Sequence, residues 1–183
     1  MSWRCGANEL QEREEGRGEK LTANSFPLSA LLSPLLRSFV MPDILHDFPI
    51  NVPPSRVFAA VSTPAGLDLW WTQHASGHAA LGAEYELGFG PEYNWRATVS
   101  RCVTDREFEL TMGHSDQDWK GSRVRFELEA VSGGTQVRFA HTGWPAANAH
   151  YRTSCYCWAM YLRILTRNLE YGEEVPYEKR LSV

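Results

Sequence analysis

From Ile44 the chain alternates. Ile44, His46, Phe48, Ile50 and Val52 take one parity, and Leu45, Asp47, Pro49 and Asn51 take the other. A period of two belongs to a strand with one buried face, and Pro49, which has no N–H to give a ladder, puts that strand at an edge or a bulge. Pro53-Pro54-Ser55 ends it and opens a short helix whose inner face is Val57, Phe58 and Val61. Thr63 before Pro64 reads as the N-cap of a second short helix that runs into Leu69-Trp70-Trp71.

Beyond that point the pattern is strands. Tyr85, Leu87 and Phe89 oppose Glu84 and Glu86. Trp95, Ala97 and Val99 oppose Asn94, Arg96 and Thr98. Phe108, Leu110 and Met112 oppose Glu107, Glu109 and Thr111, while Val124, Phe126, Leu128 and Ala130 oppose Arg123, Arg125, Glu127 and Glu129. One dry face and one charged face is the signature of an antiparallel sheet. Ser132-Gly133-Gly134 is a hairpin turn, and a last strand from Thr135 to His141 puts Val137, Phe139 and His141 on one side. Short connections make a five-strand meander the economical topology.

After Gly143-Trp144-Pro145 no Pro or Gly interrupts the chain from about Asn148 to Tyr171, and Cys155, Trp158, Leu162, Leu165 and Leu169 recur at helical spacing. Such a helix is about 35 Å long, enough to cross the sheet, and Gly172 ends it. The expected class is therefore α+β: a curved antiparallel sheet of about six strands wrapped on a long C-terminal helix, with two short helices after the first strand.

Composition narrows the function classes. A net charge of −4 with no basic stripe argues against nucleic acid. Residues 1–20 are polar and charged without a period that would bury a face, and residues 26–40 are apolar but broken by Pro27, Pro34 and Arg37. That stretch is too short and too punctuated to span a membrane, and the mixed charges before it do not suit a signal peptide. Residues 1–40 are expected to be a disordered extension, with a helical arm over 28–39 as the alternative, and 41–183 a single domain. The four cysteines have no metal-type or redox spacing, which points to reduced thiols and a cytoplasmic protein. His74, His78, His114 and His150 are expected in loops without ligand spacing, so neither a metal nor a cofactor is expected.

The order of elements resembles the helix-grip fold of the START/SRPBCC superfamily. Within it, the chain resembles the small bacterial proteins related to the activator of the ninety-kilodalton heat-shock chaperone ATPase. The residues that carry the likeness are Val57-Phe58-Ala59-Ala60, Leu69-Trp70-Trp71, Gly82 before Tyr85, the strand Ser122–Leu128, Gly133-Gly134-Thr135, Gly143-Trp144-Pro145 and Leu165-Thr166-Arg167-Asn168-Leu169-Glu170. The resemblance covers about 44–172. The resemblance implies a cavity between sheet and helix, used elsewhere by lipid and hormone carriers, polyketide cyclases and chaperone activators, so the fold does not choose among them. The separate chaperone-binding domain of the eukaryotic activator has no counterpart here.

Five strands at about 4.8 Å spacing are wider than one helix of about 10–12 Å, so the sheet must curl around the helix or leave apolar surface over a void. Tyr85, Trp95, Phe108, Phe126, Phe139 and His141 are the expected lining, with Tyr161 opposite them. Such a wall suits a small hydrophobic or amphipathic ligand with one or two hydrogen-bonding groups, oriented by His141. The alternative for His141 is a buried imidazole bonded to a backbone carbonyl. Binding of such a ligand is the preferred function. A cyclase-like enzyme in the same cavity, whose catalytic residues no motif identifies, and a chaperone-activator-like interaction module are the alternatives. The sequence leaves any homo-oligomer open.

Overall fold

The structure, a computed structural model, describes residues 42–182. The expected extension over 1–40, with its possible arm at 28–39, lies outside the described residues. Strand β1 (Ile44–Ile50) leads to helices α1 (Pro54–Ser62) and α2 (Pro64–Trp70). Strands β2 (His74–Ser76), β3 (Glu84–Gly88), β4 (Asn94–Val103), β5 (Glu107–His114), β6 (Arg123–Val131) and β7 (Gly134–Thr142) follow. Helix α3 (Ala149–Tyr171) and a single 3-10 turn (Tyr177–Lys179) finish the chain.

All neighbouring strands are antiparallel, in the order β1-β7-β6-β5-β4-β3-β2. β3 to β7 form the expected meander, and β1, with Pro49, closes one edge on β7. The sheet has seven strands rather than about six. The extra one is β2, three residues paired with β3, too short to show a period in sequence. Two register irregularities in β4, at Arg96/Ala97 and Val99/Arg101, bend the sheet over the helices. The register also aligns His46, Phe139, Phe126 and Phe108 in one row across four strands.

The caps explain the helix ends. Thr63 Oγ1 accepts the Gly66 N–H at 3.1 Å, and Asn148 Oδ1 accepts the Tyr151 N–H at 2.9 Å. Gly172, with φ of 68°, stops α3 in the left-handed conformation that costs glycine least. Cys157, Trp158, Tyr161, Leu162, Ile164, Leu165 and Leu169 of α3 are buried against the sheet. On the wet face Arg138 pairs with Glu129 at 2.8 Å and Arg125 with Glu127 at 3.1 Å, the expected solvated charge pairs. Such exposed pairs add little stability. No helix among the described residues is long and apolar enough to cross a membrane. His74 lies in β2, His114 ends β5 and His150 lies in the first turn of α3, so of the four histidines expected in loops only His78 is in one. Polar neighbours hid the strand positions of His74 and His114, whereas His150 falls inside the helix already expected from about Asn148.

The turn between α1 and α2 depends on one close approach. A Cβ on Gly66 would stand 2.4 Å from Ala59 O and 2.6 Å from Ala60 Cα, both backbone atoms that cannot turn aside. Gly66→Ala is expected to lower the unfolding free energy by about 2 kcal/mol or more in urea denaturation, although alanine gains about 1 kcal/mol of helix propensity. A neutral or stabilising result would mean that the two helices are not this close.

Candidate functional site

The seven residues expected to line a cavity are all buried. The structure divides six of them among three places, and the seventh, Tyr161, sits apart on α3 near the buried Arg180. Tyr85 and Phe108 meet edge-on at 5.9 Å beneath α1, where Phe58 packs on Phe108 and the Tyr85 hydroxyl donates to Ser62 O. Burial pushes the Tyr85 phenol up to about 12, with a smaller push from Cys102. α1 therefore covers this end of the sheet. Phe126 and Phe139 hold the middle, at 5.1 Å from each other, with Trp70 edge-on to Phe126 and Trp158 at 4.6 Å from Phe139. Trp95 and His141 stand at the third place, joined by Trp119, which is 4.9 Å from Trp95 and 4.3 Å from His141.

The state of His141 follows from its partners. Trp158 Nε1–H donates to His141 Nδ1 at 3.0 Å, and an indole nitrogen can only donate. Nδ1 is therefore the bare nitrogen and Nε2 carries the proton. Ser122 Oγ accepts from Nε2 at 2.8 Å and passes its own hydrogen to Trp119 O at 2.6 Å. The partners are thus an indole and a hydroxyl, where the sequence reading offered a backbone carbonyl as the alternative to a cavity-facing ring. Both ring nitrogens are engaged. Burial, with a smaller contribution from His150, brings the pKa down from 6.5 to about 3, so the imidazole is neutral.

Trp158 is the hub of the interior. Its ring lies 5.2 Å from Trp71, 5.8 Å from Trp119 and 6.5 Å from Trp70. Trp71 in turn meets Phe89 at 5.5 Å, and Phe89 meets Trp95 at 4.9 Å. Phe89 also lines a half-open cleft of about 260 Å³, with Gln73, Pro91, Tyr93, Tyr177 and Glu178 among its other walls. The cleft and the aromatic interior thus share a wall. Among the described residues, the indole N–H groups of Trp71 and Trp144 and the Ser154 hydroxyl are buried without a hydrogen-bond partner. A buried donor left unpaired costs about 1–3 kcal/mol, so each calls for a reason.

A family model described as Activator of Hsp90 ATPase homolog 1-like protein matches residues 51–170. The chain belongs to this family. Its fold is similar to that of the Aha1 dimer from Colwellia psychrerythraea, at 28% identity and a TM-score of 0.66, over 73% of this chain and 99% of that one. It is also similar to SSP2350 from Staphylococcus saprophyticus, at 18% identity and a TM-score of 0.63, over 74% and 96% of the two chains. CalU16 from Micromonospora echinospora is similar at 17% identity and a TM-score of 0.58, over 75% and 83%. The last two likenesses are of fold alone. None of the curated proteins matches the chain.

The family match ends at Glu170, just before a C-terminal segment that completes the cleft in this Activator of Hsp90 ATPase homolog 1-like domain. Tyr177 donates its hydroxyl to Phe89 O at 2.9 Å. Arg180, 5% exposed, donates to Val175 O at 3.1 Å, to Thr72 O at 3.0 Å and to Asp68 O. Two of those carbonyls lie at the end of α2, the negative end of the helix dipole, which suits a guanidinium. Burial lowers the pKa of Arg180, while the nearby Tyr161 and Tyr177 phenols favour its charge. The sequence pattern carries no signal for this segment, for Phe89 as a shared wall or for Trp119. All three depend on loops, which have no periodicity to read.

Proposed function

We propose that the chain binds a small hydrophobic molecule with a hydrogen-bond acceptor, in the helix-grip interior and by way of the cleft between the β3–β4 hairpin and the C-terminal segment. The observation that supports this is the position of Phe89, which walls the cleft on one side and touches Trp71 on the other. Behind it the Trp71 N–H has no acceptor among the described residues. A ligand that displaces Phe89 meets an aromatic wall and one donor, the usual composition of a small-molecule site. Of the seven residues selected from the sequence, Trp95 would stand nearest the entrance through Phe89, with His141, Phe139 and Phe126 deeper.

The fluorescent probe 1-anilinonaphthalene-8-sulfonate is expected to bind the native protein at one saturable site. Pro91→Trp, which fills the cleft, should weaken it by roughly tenfold or more. Leu45→Ser, on the exposed edge strand, should leave it unchanged. Absence of saturable binding, or equal binding by the Pro91→Trp protein, would sink the proposal. The family's name supports a second reading, a module that stimulates a chaperone ATPase through protein contact. Stimulation that survives Pro91→Trp would favour that reading.

A further inference from the structure

Carboxylates on the sheet and carboxylates in the cleft are matched differently. On the wet face Glu86, Glu107, Glu127 and Glu129 each face an arginine, Arg96 at 3.6 Å, Arg101 at 3.3 Å, Arg125 at 3.1 Å and Arg138 at 2.8 Å. The half-open cleft of about 260 Å³ carries Glu92 and Glu178, and no lysine, arginine or histidine lines it. Neither carboxylate takes part in an ion pair or a side-chain hydrogen bond among the described residues. Three rings share the cleft with them: Phe89, which is buried, and Tyr93 and Tyr177, which are half-buried.

These walls are fixed by hydrogen bonds. Phe89 N–H donates to Tyr93 O at 2.8 Å and Tyr93 N–H to Gly90 O at 3.1 Å, which closes the β3–β4 hairpin. The Tyr177 hydroxyl ties the C-terminal turn to the same hairpin through Phe89 O. Arg180 is the nearby cation, with its guanidinium 5.4 Å from the centre of the Tyr177 ring. It is committed to three backbone carbonyls and does not line the cleft.

Unmatched carboxylates beside aromatic faces favour a positive charge, because the face of a ring is the negative part of its quadrupole. A metal ion is a poor fit. It needs several convergent ligands, and among the described residues no group of three His, Cys, Asp or Glu could hold one. A substituted ammonium needs no convergence, since its methyl groups lie on the rings while the carboxylates offset its charge. At about 260 Å³ the cleft falls short of the ~300–1,000 Å³ of most ligand pockets, so it suits a head group better than a whole molecule.

We propose that the cleft is an aromatic cage for an organic cation, a tertiary or quaternary ammonium group borne by the hydrophobic ligand. The charged head stays in the half-open cleft with Glu92 and Glu178, and the apolar body points past Phe89. This rests on the ligand-binding reading above and specifies the charge of the ligand.

The test compares phenyltrimethylammonium with tert-butylbenzene, its uncharged counterpart of the same shape, by equilibrium dialysis at low salt. The native chain should bind the cation roughly tenfold more tightly than the hydrocarbon. The double variant Glu92→Gln/Glu178→Gln, at two exposed positions, should lose most of that preference. Tyr93→Leu, which removes a ring but keeps an apolar wall, should lower it too. Equal affinity of the native chain for the two compounds, or a preference that survives in both variants, would overturn the cage and leave the ligand-binding reading standing. So would saturable binding of 1-anilinonaphthalene-8-sulfonate with none of the cation. Absence of binding by all three compounds would overturn both.

Discussion

Trp158→Ala is expected to cost about 3–5 kcal/mol of unfolding free energy, the range for removing a fully packed indole. Its ring touches Trp70, Trp71, Trp119, Phe139 and His141, so the hole it leaves opens on contributions from α2, the β5–β6 turn and β7 as well as α3. Groups that belong to separate rigid elements cannot all move in to fill it. Trp158→Phe separates the two parts of the role. It keeps much of the ring but removes the N–H that His141 Nδ1 accepts, leaving a buried acceptor unpaired at about 1–3 kcal/mol. Tyr156, two residues earlier and 66% exposed, supplies the control: Tyr156→Ala should change stability by about 0.5 kcal/mol at most. Urea unfolding of the three variants gives the comparison. A Trp158→Ala cost below that of Trp158→Phe would mean that α3 is rotated from the position described.

The aromatic interior was legible in the sequence where it is built on regular elements. Alternation placed Tyr85, Trp95, Phe108, Phe126, Phe139 and His141 on the inward face, and helical spacing placed Trp158 on α3, because a strand or helix that buries one face must repeat its apolar residues at its own period. Periodicity does not say which inward residues meet. That depends on register, which set Phe108, Phe126 and Phe139 in one row, and on α1, whose Phe58 packs on Phe108 and whose Ser62 carbonyl accepts from Tyr85. Nor does it speak about loops. Trp119 sits in a polar stretch, Ser-Asp-Gln-Asp-Trp-Lys-Gly, that by composition belongs on the surface, and Phe89 lies just past the end of β3, in the turn to β4. The width argument asked for something between sheet and helix. Much of what fills that space comes from connections, which no period marks.

Acid should destabilise the protein through His141 in a predictable window. The imidazole is enclosed and neutral, with its pKa at about 3 against the ordinary 6.5. Between those values the unfolded chain binds a proton that the folded one does not, so stability rises with pH there. The contribution is fully present above pH 6.5, falls as the pH drops toward 3, and levels off below. The slope cannot exceed about 1.4 kcal/mol per pH unit for one group, which amounts to about 2–3 kcal/mol by pH 4.5. Burial lowers the pKa of His46 as well, which acts in the same direction. Asp116 opposes both, since burial raises its pKa and its protonated form favours the fold. His141→Gln isolates the one residue, because the amide offers one acceptor toward Trp158 and one donor toward Ser122 but has no proton to gain. Urea unfolding of the native and His141→Gln proteins from pH 7 to pH 4.5 should give curves that converge as the pH falls, the native protein losing its lead at up to about 1.4 kcal/mol per unit. Parallel curves would mean that the folded imidazole takes up its proton as readily as the unfolded one, and the bond from the Trp158 N–H to a bare Nδ1 would have to be abandoned, because an imidazolium has no acceptor to offer an indole.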